Sequence, residues 1–277
     1  MSADDATTNA AAGRLRQKYA ELAGRLDASA FGKPLYLEST QGSGQLNADV
    51  YALLAHPFRV VQAELKQPAR WCDILILHPN TKYCRAARAG AQTLLNMNIG
   101  RKSDQPIEQS YRVDFVYRVQ QDTADYLAVV LHADKGPVGT RDYRLLLEAV
   151  PLANGQTFLH LGYSYGYGVT AKLALLAYLG TAGSGKVGFT VTGRRPDGQP
   201  VYVEGLRGVI ERNTMRYYLA IEAYLDALGL PSSVRLDKRL ADWYAATERY
   251  ARQLHEISRG QYLEMKHKEI ERQQAAR

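Results

Sequence analysis

A nearly regular alternation of apolar and polar residues from Tyr111 to Val119 predicts a strand with one buried face. Every second residue is apolar, and the residues between them are Arg112, Asp114, Val116, Arg118 and, just beyond, Gln120. A period of two places the two sets on opposite faces of a sheet. Similar runs predict further strands, so that the full set is Leu35–Glu38, Gln45–Leu54, 92–99, 110–120, 125–133, 140–150 and 157–167.

Helical spacing marks both ends of the chain and one long segment. Leu15, Tyr19, Leu22 and Leu26 lie on one helical face and predict an N-terminal helix within residues 13–34. The segment 208–228 is followed by Gly229 and Pro231, which are typical helix stops. A last amphipathic helix is predicted from Leu236, with a seam that reaches Ile257. The charged tail beyond Arg259-Gly260 is expected to fray.

Shorter elements fill the gaps between these segments. A short helix follows His56-Pro57, Trp71–His78 fits either helix or strand, and 169–179 is an apolar helix. Strands at Lys186–Thr192 and Pro200–Val203 are expected to form a hairpin across the turn signal at 195–198. The predicted organisation is a disordered stretch over 1–12, the helix within 13–34, a ligand-binding domain over 35–229, and a helix with a charged tail over 230–277.

Strands with one apolar face need a cover, and the helix at 208–228 is the obvious one. The predicted fold is α+β, with a curved antiparallel sheet wrapped around this long helix and extra helices at both ends. Such a sheet encloses a cavity rather than a solid core. Every second residue of a strand lies on the same face, so the alternation predicts which strand residues point towards the helix. These inward residues are expected to face Tyr217, Ile221 and Leu228, and they include Phe115, Tyr117, Tyr143, Tyr163 and Tyr165.

Tyrosine is over-used in this chain of 277 residues, with 19 Tyr against 5 Phe. Each tyrosine supplies the bulk of a phenylalanine together with a hydroxyl that needs a partner when buried. A tyrosine-rich interior therefore suits a partly polar cavity. The alternative is that many of these rings lie half-exposed on sheet surfaces.

The net charge of +7 does not indicate nucleic-acid binding. Between Arg235 and Arg277, ten Lys or Arg residues are interleaved with seven Asp or Glu residues, whereas nucleic-acid-binding proteins usually carry a clustered basic stripe. The sequence contains no apolar run of 18 or more residues that would indicate a transmembrane helix.

The two cysteines bear on where the protein resides. Cys72 and Cys84 lie close together in the sequence, which fits a disulfide that clamps a local loop; two separate buried thiols are the alternative. Residues 1–12 lack the apolar segment of a signal peptide. The expected location is the periplasm if a signal peptide has been removed from this sequence, and the cytoplasm otherwise.

Three motif-like patterns fail for lack of structural context. Gly180–Lys186 resembles a phosphate-binding loop, but Val187 replaces the required hydroxyl and a helix rather than a strand precedes it. We expect a flexible turn there. Gly162–Gly166 matches the serine-elbow pattern but lies within one strand. The histidines show no spacing typical of a metal site, and His160 is expected on the outer face of its strand. No metal, cofactor or catalytic residue is predicted.

Polar residues on apolar faces are the candidates for ligand recognition. Arg141 shares the inward parity of Tyr143, and the segment Glu211–Tyr218 carries many groups that need partners, including Glu211, Asn213 and Tyr217. One interpretation is a polar end of the cavity that binds a ligand headgroup. The other is structural, with an ion pair between Arg141 and Glu211 or a helix cap at Asn213.

The chain resembles the START-like, or SRPBCC, superfamily, and within it a group of uncharacterised proteobacterial proteins. The resemblance spans residues 35–228 and depends on His56-Pro57-Phe58, 71–75, 136–143, 186–189 and 211–218. It implies a helix-grip fold with a deep cavity for a lipid, a sterol or another hydrophobic molecule. Members of the group begin with a signal peptide, which this sequence does not show, so the resemblance leaves the export status open. Some relatives are polyketide cyclases, but no catalytic motif transfers to named positions of this chain.

The expected function is therefore binding or transport of a hydrophobic or amphipathic, lipid-like small molecule by a monomer. Peripheral contact with a membrane is compatible with that function. The alternatives are a cyclase- or hydrolase-type enzyme that uses polar residues at the cavity end, and an interaction module whose C-terminal helix binds a protein. The two terminal seams are expected to pack within the chain, either on each other or on the outside of the sheet, rather than as a coiled coil between chains.

Overall fold

The computed structural model describes residues 3–180 and 185–275, with side chains over 10–177 and 185–275. The helices are α1 Ala3–Asp27, α2 Phe58–Leu65, α3 Pro68–Leu75, α4 Val169–Gly180, α5 Gly205–Asp226, α6 Ser232–Glu248, α7 Ala251–Leu254 and α8 Arg259–Ala275. The strands are β1 Leu35–Gly42, β2 Gln45–Leu54, β3 Thr81–Ala89, β4 Gln92–Ile99, β5 Tyr111–Asp122, β6 Leu127–Lys135, β7 Thr140–Pro151, β8 Thr157–Tyr167, β9 Val191–Arg194 and β10 Pro200–Tyr202.

The first eight strands form one curved antiparallel sheet in the order β1-β2-β8-β7-β6-β5-β4-β3. Helix α5 lies against β1, β2 and β8 on the concave side. The predicted α+β helix-grip class is therefore confirmed. In the described part of the chain, no helix has the length and apolar character needed to cross a bilayer.

The alternation in β5 sets the register of the concave face as predicted. Phe115 and Tyr117 are buried, whereas Arg112, Asp114 and Arg118 are exposed. The inward residues of all eight strands join α2, α3 and α5 in one apolar core. A fully buried large side chain in such a core contributes about 1.5–3 kcal/mol to stability.

Strand β3 was not predicted, and the strand at Lys186–Thr192 was predicted wrongly. The β3 sequence carries Lys82, Arg85 and Arg88 among small residues, so it lacks an apolar period of two. Its pairing with β4 and its contact with α8 define it instead. The small hairpin begins only at Val191, because residues 186–190 serve as a connection that contacts α5.

Both termini are more ordered than predicted. Helix α1 begins at Ala3, so residues 3–12 are helical rather than disordered as predicted, and residues 1 and 2 lie outside the described residues. The apolar residues from Leu236 to Ile257 were predicted to lie on one helix. They do not, because α6 ends at Glu248 and the short α7 follows. The charged tail does not fray. It forms α8, which packs on β3 and α6.

Helix α8 has few apolar residues, and buried ion pairs explain why it nevertheless packs on β3. The Lys266 ammonium donates to the carbonyls of His78 and Thr81, at 2.8 Å each, and to Glu269 at 2.6 Å. The Lys82 ammonium binds the other oxygen of Glu269 at 2.9 Å. All three side chains are almost completely buried. Their mutual pairing offsets the cost of removing them from water.

The two terminal helices pack within the chain but on different surfaces. Helix α1 covers the convex face of the sheet, where Leu15, Leu22 and Leu26 join an outer apolar cluster with Tyr51 and Phe158. Helix α6 lies against α5 and α8 instead. Both seams are therefore buried by intrachain packing, and they do not pack on each other as one alternative had it.

His160 anchors the polar part of the convex face. Its Nδ1 lies 2.7 Å from a Glu148 oxygen, its Nε2 lies 2.7 Å from an Asp49 oxygen, and its ring stacks on Tyr51 with centroids 4.5 Å apart. The predicted outward orientation is confirmed. Burial opposes the protonated form, but the hydrogen bonds and charges of Asp49 and Glu148 outweigh it and raise the pKa of His160 to about 9.

We predict that His160→Gln destabilises the protein in a pH-dependent manner. The unfolded histidine has a pKa of about 6.5, so protonated His160 stabilises the wild type fully below that pH, and this stabilisation is lost as pH rises through about 9. At about 1.4 kcal/mol per pKa unit, the difference reaches up to about 3 kcal/mol near pH 6 and shrinks towards pH 10. Urea unfolding across this range measures it.

His132→Gln is the matched control, because His132 also lies on an outward position of a central strand but its side chain is 45% exposed. Its effect on the free energy of unfolding should stay small at every pH. A His160→Gln effect that is equally large near pH 6 and near pH 10 would contradict a charged histidine.

Candidate ligand-binding site

Four tyrosine rings form a cluster between the concave face and α5. Tyr143 lies on β7, Tyr163 and Tyr165 lie on β8, and Tyr217 projects from α5. Ring centroids are 5.1 Å apart for Tyr143 and Tyr165, 5.8 Å for Tyr163 and Tyr165, and 5.2 Å for Tyr163 and Tyr217. Phe115 meets the edge of Tyr143 at 6.2 Å. The inward positions predicted for Tyr143, Tyr163 and Tyr165 are thus confirmed, whereas Tyr117 lies inward but donates to the carbonyl of Leu65 outside this cluster. Ligand binding by these residues stays a prediction.

The four phenols remain neutral hydrogen-bonding groups at physiological pH. Burial raises the pKa of Tyr143 to about 12, and it raises the pKa of Tyr163, Tyr165 and Tyr217 further. The nearby hydroxyls of the other members reinforce the shift at Tyr163. The tyrosine cluster therefore offers neutral donors and acceptors in apolar surroundings.

The rings of the tyrosine cluster contact one another, so they occupy the space between β8 and α5. The hydrophobic cavity predicted from the sequence accordingly stays a prediction. A depression of about 280 Å³ lies on the opposite, convex surface, where Tyr83, Arg85, Asn96, Asn98 and Arg112 line it.

A group of cations lies at one end of the tyrosine cluster. Arg212 and Arg216 are buried on neighbouring turns of α5. The Arg216 guanidinium donates to the carbonyl of Leu254 at 3.3 Å and to the Glu256 carboxylate. Lys102 binds the same carboxylate at 2.6 Å. Arg212 donates to the carbonyl of Val187 at 3.2 Å.

These cations and Glu256 shift one another's pKa values. Burial lowers the pKa of Lys102 to about 7, and the charges of Arg216 and Arg212 lower it further against the attraction of Glu256. Burial and the same two arginines lower the pKa of Lys186. Burial alone would raise the pKa of Glu256, but Arg216 and Lys102 together lower it. Lys102 is thus the member of this group that titrates near neutral pH.

His78 connects the cations with the tyrosine cluster. Its ring lies 4.9 Å from the ring of Tyr217, and its Nδ1 accepts a hydrogen bond from the Asn80 backbone N–H at 3.1 Å. Burial and the positive charges of Arg216 and Lys102 lower the pKa of His78 well below its usual value. The neutral ring therefore carries its proton on Nε2, and a hydrogen bond with the Asn213 side chain partly opposes the lowering of its pKa.

The Cys72–Cys84 disulfide holds the loop that presents His78. Cys72 lies on α3, Cys84 lies on β3, and the two sulfur atoms are bonded across the turn at 76–80. The predicted disulfide is therefore present. Lys266 also binds the carbonyl of His78, so this turn is fixed from two sides.

Arg141 is the clear error in the predicted site. Its side chain is 54% exposed and pairs with Asp142 at 3.2 Å. A bulge explains the error, because the β7–β8 register shifts between Arg141 and Arg144 and Asp142 has a φ of 52°. The extra residue breaks the alternation, so Arg141 points outward while Tyr143 still points inward.

Glu211 and Asn213 have structural contacts rather than the predicted ones. The Glu211 carboxylate accepts hydrogen bonds from Ser39, from the backbone N–H of Phe189 at 2.5 Å and from Thr190 at 2.9 Å. It binds no arginine of β7, so the predicted pair with Arg141 is wrong. Asn213 lies within α5 and accepts from Arg216 at 3.3 Å, so it is not a helix cap.

Sequence reasoning missed His78, Lys102, Lys186 and Glu256, and it did not single out the two arginines of α5. The spacing of Arg212 and Arg216 was a usable signal, because residues four apart share a helical face. The partners come from a loop before β5 and from the segment after α7, which only the tertiary fold brings together. The flexible turn expected at Gly180–Lys186 falls largely on residues 181–184, which lie outside the described residues.

Comparisons with known proteins find solved structures of low similarity to this chain. No family model and no curated protein matches the chain. Similar structures include the Zhui aromatase/cyclase from Streptomyces sp. R1128, with 13% identity, 72% of this chain and 94% of that chain covered, and a TM-score of 0.34. Human StAR-related lipid transfer protein 5 has 8% identity, coverages of 62% and 90%, and a TM-score of 0.32.

A conserved protein from Geobacillus kaustophilus has 14% identity, with 50% of this chain and 84% of that chain covered and a TM-score of 0.33. At these values the similarity concerns the fold alone. The sheet order and the position of α5 are those that the resemblance to the START-like superfamily implies. The architecture that the resemblance implies is thus present, and membership of the superfamily stays a prediction.

We predict that Cys72→Ala combined with Cys84→Ala lowers the free energy of unfolding by about 3 kcal/mol, because the disulfide restricts the unfolded chain. Urea unfolding of oxidised protein measures the loss. A reductant should destabilise the wild type by a similar amount and leave the double variant unchanged. Alkylation of both cysteines in folded, unreduced protein would contradict the disulfide.

Proposed function

We propose that the protein binds an amphipathic small molecule between the concave face of the sheet and α5. The observation that carries the proposal is the tyrosine cluster, which places four neutral phenols inside an apolar core. The Tyr143 hydroxyl donates to Thr140 Oγ1 at 2.8 Å, and the Tyr163 and Tyr217 side chains are hydrogen-bonded to each other, so these hydroxyls can exchange their present partners for a ligand. A ligand with an apolar body and a polar end would contact both the apolar core and these hydroxyls.

The apolar body of the ligand would lie along the inward residues of the central strands. Val113, Leu131, Leu145 and Leu161 are almost completely buried there in the same apolar core as α5. Entry requires the rings of Tyr163 and Tyr217 to separate, since they meet at 5.2 Å. Burial of the ligand would contribute about 25 cal/mol of favourable binding free energy for each Å² of apolar surface removed from water.

The enzymatic alternative rests on His78 and Lys102. A lysine with a pKa of about 7 suits proton transfer, and His78 adjoins the tyrosine cluster. However, Nδ1 of His78 is occupied by the Asn80 N–H, and Lys102 is engaged by Glu256. Recovery of the bound molecule unchanged after prolonged incubation would favour binding over catalysis.

We predict saturable binding of the neutral dye phenylnaphthylamine, whose fluorescence rises in apolar surroundings. Tyr217→Leu should tighten binding about threefold, or about 0.7 kcal/mol, because it removes a ring from the space the dye would enter. Tyr244→Leu is the matched control, since Tyr244 lies on α6 outside the concave face. It should leave the affinity within a factor of about two.

A neutral long-chain alcohol that carries a photoreactive diazirine locates the bound molecule. Cross-links should map to β7, β8 and α5, and excess dye should suppress them. Cross-links confined to the convex surface, or a dye affinity that responds equally to Tyr217→Leu and Tyr244→Leu, would contradict the proposal.

Peripheral membrane contact is a second element of the proposal, and α4 carries it. Val169, Leu173 and Leu176 lie on one face of this helix and are 78%, 63% and 45% exposed. Lys172 lies beside them, and Arg141 is exposed on the adjoining strand β7. Apolar side chains flanked by cations favour the surface of an anionic bilayer.

We predict that the protein floats with vesicles of phosphatidylcholine and phosphatidylglycerol, and that Leu173→Glu abolishes this flotation. Val234→Glu is the matched control, because Val234 is 46% exposed on the distant helix α6. It should float like the wild type. Equal loss with both variants, or no flotation of the wild type, would contradict contact through α4.

A further inference from the structure

The depression on the convex face of the sheet is a second candidate binding site. It has a volume of about 280 Å³, and its lining residues are Tyr83 and Arg85 of β3, Asn96 and Asn98 of β4, and Arg112 of β5. All five occupy outward positions, because the residues that alternate with them, including Cys84, Met97 and Val113, belong to the apolar core. The sheet therefore separates this depression from the tyrosine cluster.

The register of the three strands explains the shape of the depression. Two rows of paired residues cross it, Tyr83–Asn98–Arg112 and Arg85–Asn96–Asp114. Because neighbouring strands lie about 4.8 Å apart, β3 and β5 are separated by about 10 Å. The middle strand carries short asparagines, whereas both flanking strands carry longer side chains. The asparagines thus form the floor of the depression, and Tyr83, Arg85 and Arg112 form its walls.

The floor offers hydrogen-bond acceptors. Nδ2 of Asn96 donates to Oδ1 of Asp114 at 2.6 Å, and Nδ2 of Asn98 donates to the hydroxyl of Ser110 at 3.0 Å. The side-chain oxygens of both asparagines accept no hydrogen bond from the described residues. An amide oxygen has two lone pairs, so the floor can bind hydroxyl groups of a ligand.

The walls offer two guanidinium groups. Arg85 has no hydrogen bond or ion pair with the described part of the chain, and Arg112 uses its Nε, which lies 3.0 Å from Oδ1 of Asp114. The terminal nitrogens of both arginines are therefore available. Asp114 is the adjoining carboxylate, and the oxygen that binds Arg112 also accepts from Asn96. Guanidinium groups match the paired oxygens of a carboxylate or a phosphate.

The wall on β3 is held in place from the inner face of the sheet. Cys84 lies between Tyr83 and Arg85 and is bonded to Cys72 of α3. Its backbone N–H also donates to Gln273 of α8 at 3.0 Å. A binding site gains affinity when its backbone is fixed before the ligand arrives, and this edge strand meets that condition.

We propose that the depression binds a small hydrophilic anion that carries a carboxylate or a phosphate on a hydroxyl-bearing body, as sugar acids and sugar phosphates do. Arg85 and Arg112 would bind the acidic group. Asn96 and Asn98 would accept hydrogen bonds from hydroxyls, and the ring of Tyr83 would contact the body of the ligand. A single solvated arginine defines no site, but two of them share one concave surface here with acceptors between them.

The size and position of the depression narrow the proposal. Its volume lies near the lower limit of about 300 Å³ for small-molecule sites, which favours a ligand with a single sugar ring. The site lies on the opposite face of the sheet from the tyrosine cluster. It therefore goes beyond the proposed function and does not depend on it.

A matched series of ligands tests the proposal. Glucose 6-phosphate, glucuronate and glucose share one ring and differ in the acidic group, and isothermal titration calorimetry measures their binding to the full chain. At least one anion should bind with a Kd below about 1 mM and at least about tenfold more tightly than glucose. The tighter of the two anions identifies the acidic group. Equal affinity for all three sugars, or no binding of either anion at about 10 mM, would overturn the proposal.

Charge variants test which residues bind the anion. Arg85→Gln and Arg112→Gln should each weaken anion binding by about tenfold, because each removes one guanidinium from the walls. Arg88→Gln is the matched control, since Arg88 is exposed on the same strand but does not line the depression. It should change the affinity by less than about twofold. Equal weakening by Arg85→Gln and Arg88→Gln would indicate general attraction to a positive surface and would overturn the assignment.

The location of the bound anion separates this site from the tyrosine cluster. In ¹⁵N-labelled protein, the tighter anion should shift the amide resonances of β3, β4 and β5. Arg85→Gln should leave the affinity for phenylnaphthylamine unchanged, and circular dichroism verifies that each variant is folded. Shifts confined to β8 and α5 would overturn the site on the convex face, whatever the outcome of the dye measurements.

Discussion

The burial of α5 is the constraint on which the rest of the structure depends. Sixteen of its 22 residues are buried, including Glu211, Arg212 and Arg216. A helix enclosed this completely cannot leave its charges to water, so other elements must supply partners. Glu211 fixes β1 and the connection at 186–190, while the arginines recruit Lys102, Glu256 and the segment after α7. The additions to the helix-grip core are thus organised by the polar residues of its central helix.

Two kinds of polar group therefore share one interior. Tyr143, Tyr163, Tyr165 and Tyr217 are neutral and lie along the concave face, whereas the charged residues lie beyond Tyr217 near solvent. Moving from the sheet towards α7, the interior changes from apolar to hydroxyl-rich to cationic. This gradient parallels the polarity of an amphipathic molecule, and the ligand proposal follows from it. On the convex face, the buried polar group is His160, and it is paired independently of α5. Its ring lies between two carboxylates beneath α1.

The sequence predicted the parts of the fold that depend on local periodicity. The alternation within the strands and the stop signals after α5 were sufficient for seven of the eight strands of the large sheet, the central helix and the inward position of the tyrosines. It failed where tertiary contacts override the local pattern. The bulge at Asp142 reversed Arg141, β3 carries too many cations to show an apolar face, and α8 is stabilised by buried ion pairs that have no period. Most of the candidate site also lay beyond reach, because Lys102, His78 and Glu256 come from three separate segments.

The contact between α8 and β3 has a consequence for solubility. β3 is the terminal strand of the eight-stranded sheet, and such strands present unpaired backbone groups that can recruit a strand from another molecule. Gln273 of α8 accepts a hydrogen bond from the backbone N–H of Cys84 at 3.0 Å, while Lys82 is drawn inward to Glu269. The C-terminal helix thereby occupies a backbone donor of the edge strand and covers one end of the sheet, which discourages edge-to-edge aggregation of the folded protein.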